Sequence, residues 1–163
     1  MISATEPDWT RERANGWEPG KALLKAIRDY QRLKGRGLRA KWAVARHRFW
    51  SVVSGADIPI NSKIAGGLLI PHPNGIVIHP GAEIGPNCLL FQQVTIGDAH
   101  GAVPKLGGHV DVGAGARLIG PITIGDHARI GANAVVTIDV PAGATAVGVP
   151  AKIVKGVKGK KSG

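Results

Sequence analysis

Aromatic residues make up only 4% of this 163-residue chain. So few large rings exclude a core assembled around them and leave small and aliphatic side chains to fill the interior. Cys88 is the one cysteine, so no intrachain disulfide forms, which fits a reducing compartment. No run of about 18 apolar residues occurs, so nothing reads as a membrane span. The start, MISATEPDWTRER, is polar and charged, unlike a secretory signal. A soluble cytoplasmic protein is the expectation. Acidic residues are also scarce, at 11 against 21 Lys and Arg.

Glycine, in contrast, is plentiful, with 24 residues, as suits a fold with many tight corners. The positive charge is unevenly placed. Residues 1–56 carry 12 Lys and Arg against 5 Asp and Glu, residues 57–150 carry 4 against 6, and residues 151–163 add five lysines and no acid. A solvated basic face and a frayed tail account for this distribution, and no nucleic-acid partner is expected.

Residues 1–20 are punctuated by Pro7, Gly16, Pro19 and Gly20 and read as irregular. Helical spacing then appears twice. Leu23, Leu24, Ile27, Tyr30 and Leu33 predict a helix over 21–34, which Gly35 and Gly37 break. Leu38, Trp42, Ala45, Phe49 and Val52 predict a second over 38–54, stopped by Gly55. Both stripes are read as packing faces.

After Gly55 the period becomes six. Aliphatic residues recur at Ile78, Ile84, Leu90 and Ile96, then at Leu106, Val112, Leu118, Ile124, Ile130 and Val136. Four places after each, a small or branched residue usually stands: Ala82, Cys88, Val94, Val110, Ala116, Ile122, Ala128, Ala134 and Val140. A second register, Ile58, Ile64, Ile70 and Ile76, precedes this one and meets it at Ile76–Ile78. A helix would scatter such positions around its circumference, whereas short strands joined by bends turn each hexad into one side of a solenoid. At three hexads per coil, between four and five coils result. The step from Ile96 to Leu106 is longer than a hexad, so about four residues bulge outward as a loop, where function tends to concentrate. Cys88 falls on an inward small-residue position and reads as core filler. The end of the chain, with Pro141, Pro150 and the lysines, is expected to leave the repeat and fray. Three regions follow: an N-terminal helical segment 1–56, a β-helix 57–150 and a basic tail 151–163.

These hexads resemble the hexapeptide-repeat acyltransferases, and the resemblance implies a mainly β fold, a left-handed parallel β-helix with a short α-helical segment before it. The ending Ala146-Val147-Gly148-Val149-Pro150-Ala151-Lys152-Ile153 resembles the close of such domains. Within the family, residues 57–153 look most like serine O-acetyltransferase. Pro71-His72-Pro73-Asn74-Gly75 resembles the family's catalytic Asp-His-Ala-Thr-Gly stretch. Asp57 precedes His72 by the interval that separates the family's carboxylate–imidazole pair, a little less than one coil.

The implied chemistry is transfer of an acetyl group from acetyl-CoA to a serine hydroxyl, in cysteine biosynthesis. A hydroxyl attacks a thioester only once its proton is removed, and histidine suits that task near neutral pH. His72 is the expected general base and Asp57 the group that orients its ring. Backbone N–H groups near the interrupted coil, at Gly97, are expected to steady the oxyanion. By family position Ala114, Arg129, Ala132 and Lys152 line the coenzyme groove. His100, beside the loop, and Lys105 are candidates for touching the acceptor. No metal is expected. The γ-class carbonic anhydrases share the fold and bind zinc through histidines, two of them five residues apart, but His72, His79, His100, His109 and His127 are separated by 7, 21, 9 and 18.

Two departures bear on the acceptor. Pro71 stands where the family has Asp, and Ala102-Val103-Pro104-Lys105 stands where it has Arg-His-Pro-Lys. The alternatives that remain open are O-acetylation of a sugar or polysaccharide precursor and a non-catalytic β-helix scaffold. A homotrimer with sites between neighbouring β-helices is expected, with a hexamer as a further possibility. Docking to cysteine synthase is not, because Lys160-Lys161-Ser162-Gly163 replaces the family's terminal isoleucine.

Overall fold

An extended residue pair turns one side chain out and the next one in, and the hexads use this alternation throughout. In the computed structural model, which describes residues 2–154, almost every short strand has an exposed or half-buried first residue and a buried second. The strands are β1 (Lys63–Ile64), β2 (Val77–Ile78), β3 (Glu83–Ile84), β4 (Leu89–Leu90), β5 (Thr95–Gly97), β6 (Lys105–Leu106), β7 (Asp111–Val112), β8 (Arg117–Ile119), β9 (Thr123–Ile124), β10 (Arg129–Ile130), β11 (Val135–Val136), β12 (Thr145–Val147) and β13 (Lys152–Val154). They stack into three faces of a parallel solenoid of about five turns. The first face is β2-β5-β8-β11, the second β1-β3-β6-β9, and the third β4-β7-β10-β12, with β13 added antiparallel at its end. Inward residues of the three faces share one apolar core with the small residues at the corners, Cys88 included.

The register locates each irregularity. Lys105 pairs with Thr123, which stands three regular hexads further along. Glu83 pairs with Lys105 across three hexads plus four extra residues. These form the expected loop, closed by Ala99 and Ala102 bonding each other's backbone. Lys63 pairs with Glu83 across three hexads plus two, and Leu69 pairs with Leu89 at the same interval. The meeting of two registers is therefore a two-residue insertion between Leu69 and Val77, and it enlarges the bend that carries His72.

Two helices precede the coils, α1 (Pro19–Leu33) and α2 (Leu38–Ser54). The α1 stripe packs as expected, with Leu23, Leu24 and Ile27 buried in the same core as the first coil. Gly20 makes this approach possible: a Cβ there would stand 2.6 Å from the Ile70 carbonyl oxygen. The α2 stripe does the reverse of what its spacing predicts. Leu38, Trp42, Phe49 and Val52 are exposed, Trp42 by 69%. The opposite side of α2 is covered instead, through buried Ala43 and half-buried Arg46, His47 and Trp50. That side has polar partners: Arg46 bonds Asp29 of α1, and His47 Nε2 lies 2.8 Å from the Ile58 carbonyl oxygen. Trp50, off the predicted stripe, packs against the core and against Trp17 and Phe49.

Residues before α1 are irregular only in spacing. A 3-10 turn, Trp9–Glu12, is capped by Asp8, and the segment lies along the corner between the second and third faces. Asn87, fully buried at that corner, accepts from the Asp8 N–H and donates to the Ser3 and Glu6 carbonyls. Glu12 accepts from the N–H groups of Gly67 and Leu68 and from Arg28, which also donates to the carbonyls of Ile64 and Ala65. The N-terminal region is thus stapled to the β-helix. The end of the chain also departs from expectation: residues 152–154 do not fray but turn back on β12 as β13, with Thr145 paired to Val154. The lysines at 155–161 lie outside the described residues.

Candidate active site

The corner from the third face to the first carries His72, and the same corner recurs in every coil above it. The Gly75 N–H bonds the Gly55 carbonyl, Gln93 bonds Asn74, Gly115 bonds Gln92, and Asn133 bonds Ala114, all at 2.8–3.0 Å. At this corner Gly75, Gln93, Gly115 and Asn133 all take positive φ. Gly75 and Gly115 have a second reason to lack a side chain: a Cβ on the first would sit 2.5 Å from the Gln93 side chain, and one on the second 2.1 Å from Asn133 Oδ1. A backbone rail therefore runs from the His72 bend past Gln92 to Ala114 and Ala132.

His72 and Asp57 are both exposed at the start of this rail. Asp57 heads the first face, its backbone paired with Val77, and the His72 bend leads into that same strand. No hydrogen bond joins the two side chains among the described residues. Ala114 is half-buried and Ala132 exposed, so each of them puts only a methyl on this edge. Arg129 and Lys152 project from the third face beside it, on β10 and β13. A cavity of about 310 Å³ lies against the bend, walled by Trp17, Gly20, Leu69, Ile70, Pro71 and Pro73.

The other candidates stand elsewhere in a single chain. Gly97 ends β5 at the far side of the first face, where a Cβ would meet Ile119 Cδ1 at 3.3 Å. His100 is exposed in the loop that follows, with φ +54. Lys105 points out from the second face, 3.8 Å from Glu83, which also pairs with Lys63. One chain therefore gathers His72, Ala114 and Ala132 on one corner, with Asp57, Arg129 and Lys152 flanking it. It leaves Gly97, His100 and Lys105 at the next corner and beyond.

Two features were missed by sequence reasoning. Gln92 Oε1 is buried on the rail with no hydrogen-bond partner among the described residues. The hexad count places Gln92 at a corner, but its orphaned acceptor is visible only in three dimensions. His109 and His127 face each other across one coil, Nδ1 to Nδ1 at 2.8 Å. Their separation in sequence, one full coil, was the available signal. Cys88 is filler, as read: burial pushes its thiol up to about 11, and its Sγ donates to the Gly107 carbonyl.

No family model matches the chain. It is 44% identical over 109 residues to the serine acetyltransferase of Helicobacter pylori strain J99, covering 63% of this chain and 62% of that one. The soybean serine acetyltransferase apoenzyme superposes with a TM-score of 0.73 at 37% identity, over 83% of this chain and 57% of that one.

The chain is a relative of the serine acetyltransferases.

A serine acetyltransferase solved in complex with CoA superposes with a TM-score of 0.72, also at 37% identity and over 83% of this chain and 57% of that one. The chain thus spans less than two thirds of the length of these serine acetyltransferases. With them it shares the parallel β-solenoid preceded by helices. No helix among the described residues is long and apolar enough to cross a membrane.

Proposed function

We propose that this chain is a cytoplasmic acetyl-CoA-dependent O-acetyltransferase acting on serine, with its site on the open corner that begins at His72. The observation that carries the reading is the backbone rail from the His72 bend to Ala132 in a chain related to serine acetyltransferases. His72 accepts the proton of the acceptor hydroxyl while Asp57 steadies the imidazolium. The alkoxide oxygen attacks the thioester carbonyl carbon, and N–H groups near Gly97 stabilise the oxyanion that forms. Collapse breaks the carbon–sulfur bond, His72 returns its proton to the departing thiolate, and the products are an acetyl ester and free CoA. Ala114 and Ala132 leave room for the pantetheine arm, and Arg129 and Lys152 meet phosphate. A homotrimer completes the site by bringing a neighbour's Gly97, the 98–104 loop with His100, and the adjoining Lys105 to the open corner. The acceptor and CoA are the small-molecule partners, and no resident metal takes part.

One observation favours a sugar hydroxyl as a second reading. The loop offers an amino acid's carboxylate no guanidinium, since half-buried Ala102 and Val103 and buried Pro104 stand there.

Thiol release from acetyl-CoA, followed across serine and a panel of sugars, tests both readings. Serine turnover is expected, reduced about 10²- to 10⁴-fold in His72→Ala and less in Asp57→Asn, with melting temperatures unchanged. Activity on sugars alone selects the second reading. No thiol release with any acceptor, or His72→Ala near wild-type turnover, sinks the mechanism.

A further inference from the structure

The other large cavity lies away from the His72 corner, between the 3-10 turn and α1, and has a volume of about 780 Å³. Its lining includes Arg13, Lys21, Lys25, Arg28 and Arg32 around the indole of Trp9, with Glu12 as the sole carboxylate. Glu12 gives this cluster little relief. Both of its oxygens accept from Arg28, and one also accepts from two backbone N–H groups. Arg28 is likewise spent, on Glu12, on two carbonyls and over the Trp9 ring at 5.3 Å. Lys21 and Arg32 pair with Glu18 and Asp29. Arg13 and Lys25 have no ion-pair partner among the described residues. A concave site of this size suits a small organic ligand, and its uncompensated charge suits an anion.

We infer that this cavity binds a phosphorylated small molecule of the nucleotide class, its phosphates held by Arg13 and Lys25 and its flat body against the apolar wall that Trp9 provides. Both cations are exposed, so two or more negative charges can reach them without burying an unpaired ion. The like charges that crowd the cavity repel one another, and a bound phosphate removes that repulsion. Binding therefore raises the melting temperature as ligand concentration rises above the dissociation constant. The inference is independent of the proposed acetyl transfer, which takes place at a different corner of the β-helix.

Titration calorimetry of the full chain with uridine diphosphate, uridine and inorganic phosphate, alongside thermal melts, tests it. Uridine diphosphate is expected to bind and to raise the melting temperature, with uridine and phosphate each at least tenfold weaker. Arg13→Glu combined with Lys25→Glu is expected to weaken binding at least tenfold, and Arg129→Ala on the third face to leave it unchanged. The milder pair Arg13→Gln and Lys25→Gln repeats the test if the charge reversal perturbs folding, as read by circular dichroism. Four results overturn the inference: no binding, equal affinity in the wild type and both double variants, loss of binding in Arg129→Ala, or displacement by a single-stranded oligonucleotide that binds the same residues more tightly.

Discussion

Two corners of one ladder are built from the same hexad and end up with opposite fates. The corner between the second and third faces carries Gly67, Asn87, His109, His127 and Gly143, all at positive φ. The N-terminal arm covers its lower part, with Trp9 over Gly66 and Ala4 against Gly108. The corner between the third and first faces carries the same backbone conformation, and among the described residues the N-terminal segment meets it only at its lowest bend, through Trp17 and Gly20. Along this corner His72 and Ala132 are exposed, Ala114 is half-buried, and the unpartnered Gln92 oxygen is buried beneath them. Hexad chemistry makes a corner, while what chain lies over it decides whether the corner is covered or left accessible.

The covered corner is where the largest loss of stability is expected. Asn87→Ala removes three hydrogen bonds that a buried side chain makes to the arm, and places a Cβ-bearing residue without a polar side chain at φ +60. Urea unfolding should show a loss of about 3 kcal/mol. Asn87→Gly, which relieves the backbone, should recover only a minor part of it. A loss below about 1 kcal/mol in the alanine variant would mean the arm contributes little to holding that corner.

The open corner should behave differently. Gln92→Leu removes a buried acceptor that no donor satisfies, so stability should hold or rise by up to about 1 kcal/mol. Under the proposed reaction the same change should raise KM for the acyl donor. A loss of about 2 kcal/mol or more would erase the contrast, showing that this corner too is held by its polar contacts.

The smallest effect expected is one of pH. The Thr10 hydroxyl and N–H hold the Asp8 carboxyl below the usual carboxylate range. A depressed folded pKa contributes stability that is complete above the unfolded value, about 4, and is lost as pH falls through the lower folded value. Fluorescence of Trp9 should therefore report loosening of the arm below about pH 4, before the β-helix itself unfolds. Asp8→Asn should remove that transition. An arm signal flat to the pH of global unfolding would count against this cap.

Much of the fold was legible because period six admits few physical interpretations. Every aliphatic residue counted in the ladder, from Ile58 to Val136, is buried. The loop after Ile96 and the shift before Ile78 also appeared as broken counts. The helices were harder to read. The stripe through Trp42 and Phe49 satisfied helical spacing, but α2 packs on α1 and on the first coil with its other side. Hydrogen bonds from Arg46 and His47 select that side. The arm was unreadable for a related reason, since its partners, Asn87, Gly67 and Leu68, belong to coils far along the chain from it.

For the site, the resemblance to the acyltransferases' catalytic stretch drew attention to Asp57 and His72 and, by family position, to Ala114 and Ala132, whose three-hexad spacing puts them one coil apart. The sequence by itself determined the coil, its inward residues and the positions of its two insertions, because burial in a narrow prism repeats with the chain. Only the tertiary structure decided which corner the arm covers, which face of α2 is buried, and that His100 and Lys105 stand away from His72. Those outcomes depend on contacts between distant segments, which no local period encodes.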